Sequence, residues 1–279
     1  MPVWREILIA YLPGDRFLLA KGHGNGVHER GPGSGMLVLS CEEPWQRWTM
    51  RFCGAVAEVT GDELRAGALA DQAHHVATIE MSWTAMAPVW DLGAEMQTQT
   101  WTQTHYEQAC RVSGAITVGE ESIELAGTGI RDHSRGPRDF ATVHDHWWIN
   151  GQFPDGRSFA LLEVTGHASD SHLLRRAYVS DRFDSIHEAK VVSLEAEMGP
   201  QGPVSHRVVL RDGDTEHTIE GRVGQTMPFG MGEPNELILG STLKPPTVLR
   251  LWEAQTEFHW GDQVGHGLTE RSLAKDIDV

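Results

Sequence analysis

Apolar and polar residues alternate with a period of two over much of the chain. From Trp48 to Val56, the side chains of Trp48, Met50, Phe52, Gly54 and Val56 share one face while Thr49 and Arg51 take the other, the pattern of a strand that buries one side. From Val76 to Ala85 the same rhythm sets Ala77, Ile79, Met81, Trp83 and Ala85 against Thr78, Glu80, Ser82 and Thr84. Turn residues then interrupt the alternation. Val118-Gly119-Glu120, Pro154-Asp155-Gly156 and Asp212-Gly213-Asp214 each separate two short apolar runs, which predicts hairpins. Short strands punctuated this often indicate a sandwich or barrel. A single helix is predicted where Thr60-Gly61-Asp62-Glu63, in the form of a capping box, precedes Leu64, Ala66, Ala68 and Leu69.

A chain of 279 residues exceeds the usual size of one hydrophobic core, so two domains or one large β domain are expected. A short internal repeat favours two. Gly127-Thr128-Gly129-Ile130 followed by Ser134 has the form G-x-G-Ile/Leu-x-x-x-S, and Gly265-His266-Gly267-Leu268 followed by Ser272 has it again. A duplicated domain places equivalent strands at equivalent ends. The boundary is therefore expected just after Asp139-Phe140, giving domains 1–140 and 141–279.

Composition narrows the functional classes. Apolar residues make up 40% of the chain, and no run approaches the roughly 20 apolar residues of a membrane helix. No membrane span is expected. The first residues, Met1 to Glu6, lack the form of a signal peptide, which favours the cytoplasm. Cys41, Cys53 and Cys110 form no CxxC pair and read as free thiols, not as a disulfide framework or zinc knuckle. With 39 Asp plus Glu against 23 Lys plus Arg, the net charge of −16 would repel phosphate backbones, so nucleic acid is not an expected partner. A homodimer is left open beside a monomer. Ten tryptophans suit both β cores and the walls of an apolar pocket.

The densest polar segment runs from Gly127 to Asp139. Within it Arg131, Asp132, His133, Arg138 and Asp139 supply carboxylates, an imidazole and guanidinium groups. A carboxyl facing an apolar cavity has its pKa raised, and a nearby histidine can exchange protons near neutral pH, so Asp132 with His133 is a candidate pair for protonating an alkene. Neighbouring strand residues face opposite sides, so the two share a pocket only if the segment turns, for which Gly136-Pro137 offers a place. The alternative is structural: Arg131 and Arg138 pair with Asp132 and Asp139 to lock the turn.

In this region the chain resembles the tandem lipocalin-like family of AttH and carotenoid 1,2-hydratase (hydroxyneurosporene synthase). The resemblance is carried by His105-Tyr106-Glu107-Gln108, by Val112-Ser113-Gly114-Ala115-Ile116-Thr117-Val118, and by the run from Gly127 to Asp139. It is good from about Thr100 to Trp148 and general elsewhere. It implies two consecutive lipocalin-like antiparallel β-barrels. For characterised relatives it implies addition of water to an isolated double bond, or cyclisation of an apolar polyene.

Other candidates follow from the residues. His144-Asp145-His146-Trp147-Trp148 puts both histidines on one strand face, which suits a metal, yet no glutamate follows closely and no metal is assigned. His146 is instead a reserve acid/base group, with Trp148 on its face and Trp147 on the other. Tyr106 has a phenol to offer a ligand oxygen. Lys21-Gly22-His23-Gly24-Asn25-Gly26 does not complete a phosphate-binding motif and reads as a rim loop, and no serine-hydrolase elbow, zincin helix or Walker lysine is present. The reading is a cofactor-independent lyase of hydratase, dehydratase, cyclase or isomerase type that acts on a small apolar, isoprenoid-like molecule. Asp132, His133 and His146 handle protons, while Tyr106, Trp83, Trp148 and Arg131 bind substrate. Its rival is a non-catalytic carrier using the same cavity.

Overall fold

The computed structural model describes residues 4–24, 27–28, 31–32, 35–66, 74–167, 172–182, 184–232, 236–240 and 247–274. Most of these lie in antiparallel strands. The chain separates into two compact units, one made of Met1–Leu64, Ala68–Met86 and Cys110–Gly129, the other of Arg65–Gly67, Ala87–Ala109 and Ile130–Val279.

The first unit is built on β1 (Trp4–Leu12), β2 (Arg16–Gly24), β3 (Leu37–Glu43), β4 (Arg47–Thr60), β5 (His74–Ala85), β6 (Thr104–Val118) and β7 (Glu121–Arg135). They follow the order β1-β2-β4-β5-β6-β7, with β3 on the far part of β4. The result is a curled half-barrel. Its concave face holds the alternating residues expected to be buried: Phe52 and Val56 from β4, Ala77 and Ile79 from β5, with Leu12, Leu18, Ile116 and Val118. The helix α1 (Gly61–Ala66) forms where the capping box stands. The backbone N–H of Thr60 donates to Glu63 Oε2 at 2.8 Å, and the N–H of Glu63 donates to Thr60 Oγ1 at 3.3 Å, so two N–H groups are satisfied reciprocally at the helix start. Ala68 and Leu69 lie outside the described residues.

The second unit carries β8 (Val143–Gln152), β9 (Ser158–Gly166), β10 (His172–Ser180), β11 (His187–Gly199), β12 (Gly202–Asp212), β13 (Thr215–Gly232), β14 (Glu236–Leu239), β15 (Thr247–Trp260) and β16 (Gln263–Ala274). The order is β12-β11-β10-β9-β8-β16-β15-β13-β14, and β12 also pairs with β13. That last pairing closes an eight-stranded barrel and leaves β14 as an added edge strand. The architecture is therefore mostly β and lipocalin-like, with one barrel closed and the other half open. The three predicted hairpins are present: Gly119 and Gly213 take φ of +58° and +55°, conformations that glycine adopts without a Cβ penalty.

Alternation assigns each barrel residue to one of two faces. Trp147, Ile149, Phe159, Leu161, Val208, Leu210, Ile219, Phe258 and Trp260 converge from strands all around the barrel and fill its interior. Phe159 and Phe258 meet edge to face with centroids 5.0 Å apart, an arrangement favoured by the ring quadrupoles. The intervening residues Ala160, Leu162 and Val164 point outward and are covered by Trp90, Leu92, Met96 and Trp101. These covering residues come from the segment 87–103, which includes a short 3-10 helix, Gly93–Thr98. Its place is fixed by hydrogen bonds: Trp90 Nε1 donates to Glu188 at 2.9 Å, and Gln99 Nε2 to the Leu173 carbonyl at 3.0 Å. Among the described residues no helix is long and apolar enough to cross a membrane.

Candidate functional site

Part of this outer barrel face in the second unit is not filled. A cavity of about 440 Å³ lies there, within the range of small-molecule sites. Register explains which side chains reach it. On β8, His146 stands opposite Ser272 of β16 and Val164 of β9, and Trp148 stands opposite Glu270 and Leu162. On β15, Leu251 faces Ser272 and Glu253 faces Glu270. All of these share one sheet face and all line the cavity, together with Met231, Leu237 and Leu249. The last residues of β7 and the chain beside them complete the wall with Trp101, His105, Asp132, Ser134, Arg138 and Phe140. One side is thus aliphatic and aromatic, and the other is titratable.

Asp132 projects from β7 with its side chain 30% exposed, because it looks into the open cavity, and Oδ1 lies 4.0 Å from His105 Nδ1. The protein around the carboxyl, and then the negative charges of Glu107 and Glu270, push its pKa up to about 6, against the opposing pull of His105 and Arg138. His105 is itself buried and binds Glu107 Oε1 through Nε2 at 2.9 Å. Burial works against its protonation, but the hydrogen bond to Glu107 and the charges of Asp132 and Glu107 outweigh it, and its pKa is raised. Glu107 has no exposed surface, so its carboxyl is held in place behind the ring. Arg138 adopts φ of +66°, an unfavourable conformation for a side chain with a Cβ. Its Nη2 donates to both the carbonyl and the hydroxyl of Ser134 at 2.9 and 2.7 Å.

A second group of polar residues lies on the barrel strands. His146 Nδ1 is 3.3 Å from Glu270 Oε1 and 3.4 Å from Ser272 Oγ. Burial, and then the neighbouring charge of Glu270, raise the pKa of Glu253, since two adjacent carboxyls in a poorly solvated site resist ionising together. Among the described residues no group of three or more His, Cys, Asp or Glu is arranged to hold a metal ion.

The structure brings together Asp132, His146 and Trp148 from the residues read as a site in the sequence. It places the others elsewhere. His133 is next to Asp132 on a continuous strand and so faces away, where its ring stacks on Tyr106 at 5.0 Å. Arg131 lies on that same side, donating to Tyr106 Oη and Gln108 Oε1 at 3.3 Å. No turn intervenes, because β7 runs on to Arg135 before Gly136-Pro137. Trp83 stands on β5 in the first unit. The shared face expected of His144 and His146 also fails. A bulge between Val143 and Asp145 breaks the alternation, and His144 turns to His167, with the Nδ1 atoms 3.3 Å apart. The locking pairs expected of the turn are made differently, through Arg138 to Ser134 and Asp139 Oδ1 accepting the Ala141 N–H at 3.0 Å.

Among the titratable residues of the cavity, His105, Glu253 and Glu270 were not read from the sequence as site candidates, and Ser134 and Ser272 were read only as part of the repeat. His105 belongs to the His-Tyr-Glu-Gln motif. Glu270 had a signal in the repeat, for it occupies the position of Asp132, just as Ser272 occupies that of Ser134. Glu253 had none, since only strand register sets it beside Glu270.

A family profile described as a domain of unknown function, DUF7064, matches residues 28–273. No curated protein matches the sequence. Among solved structures, the chain is similar to a Nitrosomonas europaea protein provisionally described as an AttH, with a TM-score of 0.51 and 15% identity over 94% of this chain and 81% of that one. At that identity the likeness carries the fold alone.

Proposed function

The chain belongs to the DUF7064 family, and on that footing we propose that it is a hydratase-type lyase, or an isomerase of the same chemistry, acting on a small and largely apolar molecule. The observation that carries this reading is one recess with apolar walls on one side and, on the other, Asp132 beside a histidine backed by a buried carboxylate. A carboxyl whose pKa lies near neutrality is a competent general acid at physiological pH. Protonation of a carbon–carbon double bond forms a C–H bond and leaves a cation. The Trp148 and Trp101 rings beside the cavity offer it their electron-rich faces. Water then adds, and its surplus proton leaves through a base. An isoprenoid fits this chemistry, and the size of the cavity favours a short one. The copies 1–140 and 141–279 of a duplicated domain belong to the same proposal.

Extraction and mass spectrometry of any apolar molecule that co-purifies names the substrate class. Asp132→Asn keeps the shape and removes the acid, so turnover of that molecule is expected to fall about 100-fold or more while binding persists. Unchanged turnover would remove Asp132 from the mechanism, whereas a co-purified molecule that is bound and never turned over would leave the cavity as that of a carrier, whose apolar wall accounts for binding by itself.

A further inference from the structure

The repeat that marks the ends of the two copies also determines what faces the cavity. Aligned on their glycines, Gly127-x-Gly129 and Gly265-x-Gly267 bring Asp132 onto Glu270 and Ser134 onto Ser272, and all four of these residues line the same cavity. Each acid has a partner on the strand before it: His105 of β6 beside Asp132, Glu253 of β15 opposite Glu270. The partners differ, and the difference gives each acid its own character. Asp132 sits with a histidine anchored by Glu107. Glu270 sits with a second acid and draws its histidine, His146, from β8.

We infer that the cavity holds two separate proton-exchanging couples, Asp132 with His105 and Glu270 with His146, so that a proton given up at one is recovered at the other. This rests on the reading of the site as a proton-transfer centre and adds the group that completes the reaction. In a hydration, the O–H bond of the Asp132 carboxyl breaks as a C–H bond forms on the alkene. A water oxygen then bonds to the adjacent carbon, and its extra proton passes to the Glu270–His146 couple. The sum is alkene plus water to alcohol, and solvent at the cavity mouth returns the proton to Asp132. Where that couple takes a proton from carbon instead, the double bond moves and no water is consumed.

The groups that face each couple are few. Asp132 feels His105 and Glu107 from β6, Arg138 after β7, and Glu270 from β16. Glu270 has Glu253 opposite on β15 and His146 on β8. Arg271, the next residue, pairs with Asp145 at 3.1 Å and covers the Trp147 ring on the interior side, so it does not neutralise the cavity. Two couples that share a cavity and not a hydrogen bond should respond separately to substitution.

NMR of the histidine rings in the full chain tests this. Glu270→Gln removes a carboxylate 3.3 Å from His146 and is expected to move the His146 ring resonances while leaving those of His105 in place. Asp132→Asn removes a charge that helps to raise the His105 pKa, so it is expected to lower the His105 midpoint and leave the His146 resonances in place. Should Glu270→Gln not fold, Glu253→Gln removes the second acid opposite Glu270 and is expected to move the His146 resonances and not those of His105. His146 resonances that ignore Glu270→Gln, or a single substitution that moves both histidines alike, overturn the inference. Full turnover in Glu270→Gln beside lost turnover in Asp132→Asn overturns it too, and leaves the proposed function standing.

Discussion

The two faces of the same barrel strands differ in what they bury. The inward face of β8, β9 and β15 is packed with Trp147, Ile149, Phe159, Leu161 and Phe258, whereas the outward face of the same strands borders a hollow with His146, Trp148, Leu162 and Glu253. A lipocalin-like barrel invites a search for ligand in its lumen. Here aromatic rings occupy much of that lumen, and the cavity that holds Asp132 and His146 lies outside it. Fold class therefore locates the strands and not the site, because a barrel with eight strands is just wide enough for side chains to fill.

The contrast can be broken first at the packed face. Phe258→Ala, at a position with no exposed surface, is expected to destabilise the protein by about 3–5 kcal/mol, measured by urea unfolding. A loss of under about 1 kcal/mol would mean that the interior is loosely packed. The second probe is His206, which is buried with neither ring nitrogen hydrogen-bonded among the described residues and lies 5.5 Å from Phe258. Burial lowers its pKa to about 4 from 6.5. A depressed histidine contributes stability that is present above pH 6.5 and is lost as pH falls toward 4, a change of about 3 kcal/mol. His206→Leu should flatten that acid slope, and an unchanged slope would place the loss elsewhere. The smallest effect belongs to the hollow face and has the opposite sign. Asp132 is raised from 3.8 to about 6, so its contribution is complete below about pH 4 and is lost as pH rises through 6. Because the group is partly open to water, the change is smaller than that of His206. Asp132→Asn should make unfolding free energy less dependent on pH in that window and higher at neutral pH. A variant that is less stable at pH 7 would show that the carboxylate holds the structure together.

Much of the fold was legible in local pattern. The strands around Phe52 and Ile79, the capping box at Thr60 and the hairpins at Gly119, Gly156 and Gly213 all stand where the sequence puts them, since each depends on residues within a few positions of one another. The site was legible in part. Asp132, His146 and Trp148 were named, and alternation had already warned that His133 faces away from Asp132. His144 was misplaced because a bulge adds a residue that no periodicity announces.

The sequence by itself determined which residues share a strand face, where the chain turns, and that Asp132 and Glu270 hold equivalent places in a repeat. Only the tertiary structure decided which of the two faces is filled and which is hollow. The reason is range: alternation acts between residues two apart, whereas His146 meets Ser272 across 126 positions. That meeting comes from the closing of the barrel and the register of its strands, which the whole set of packed side chains fixes together.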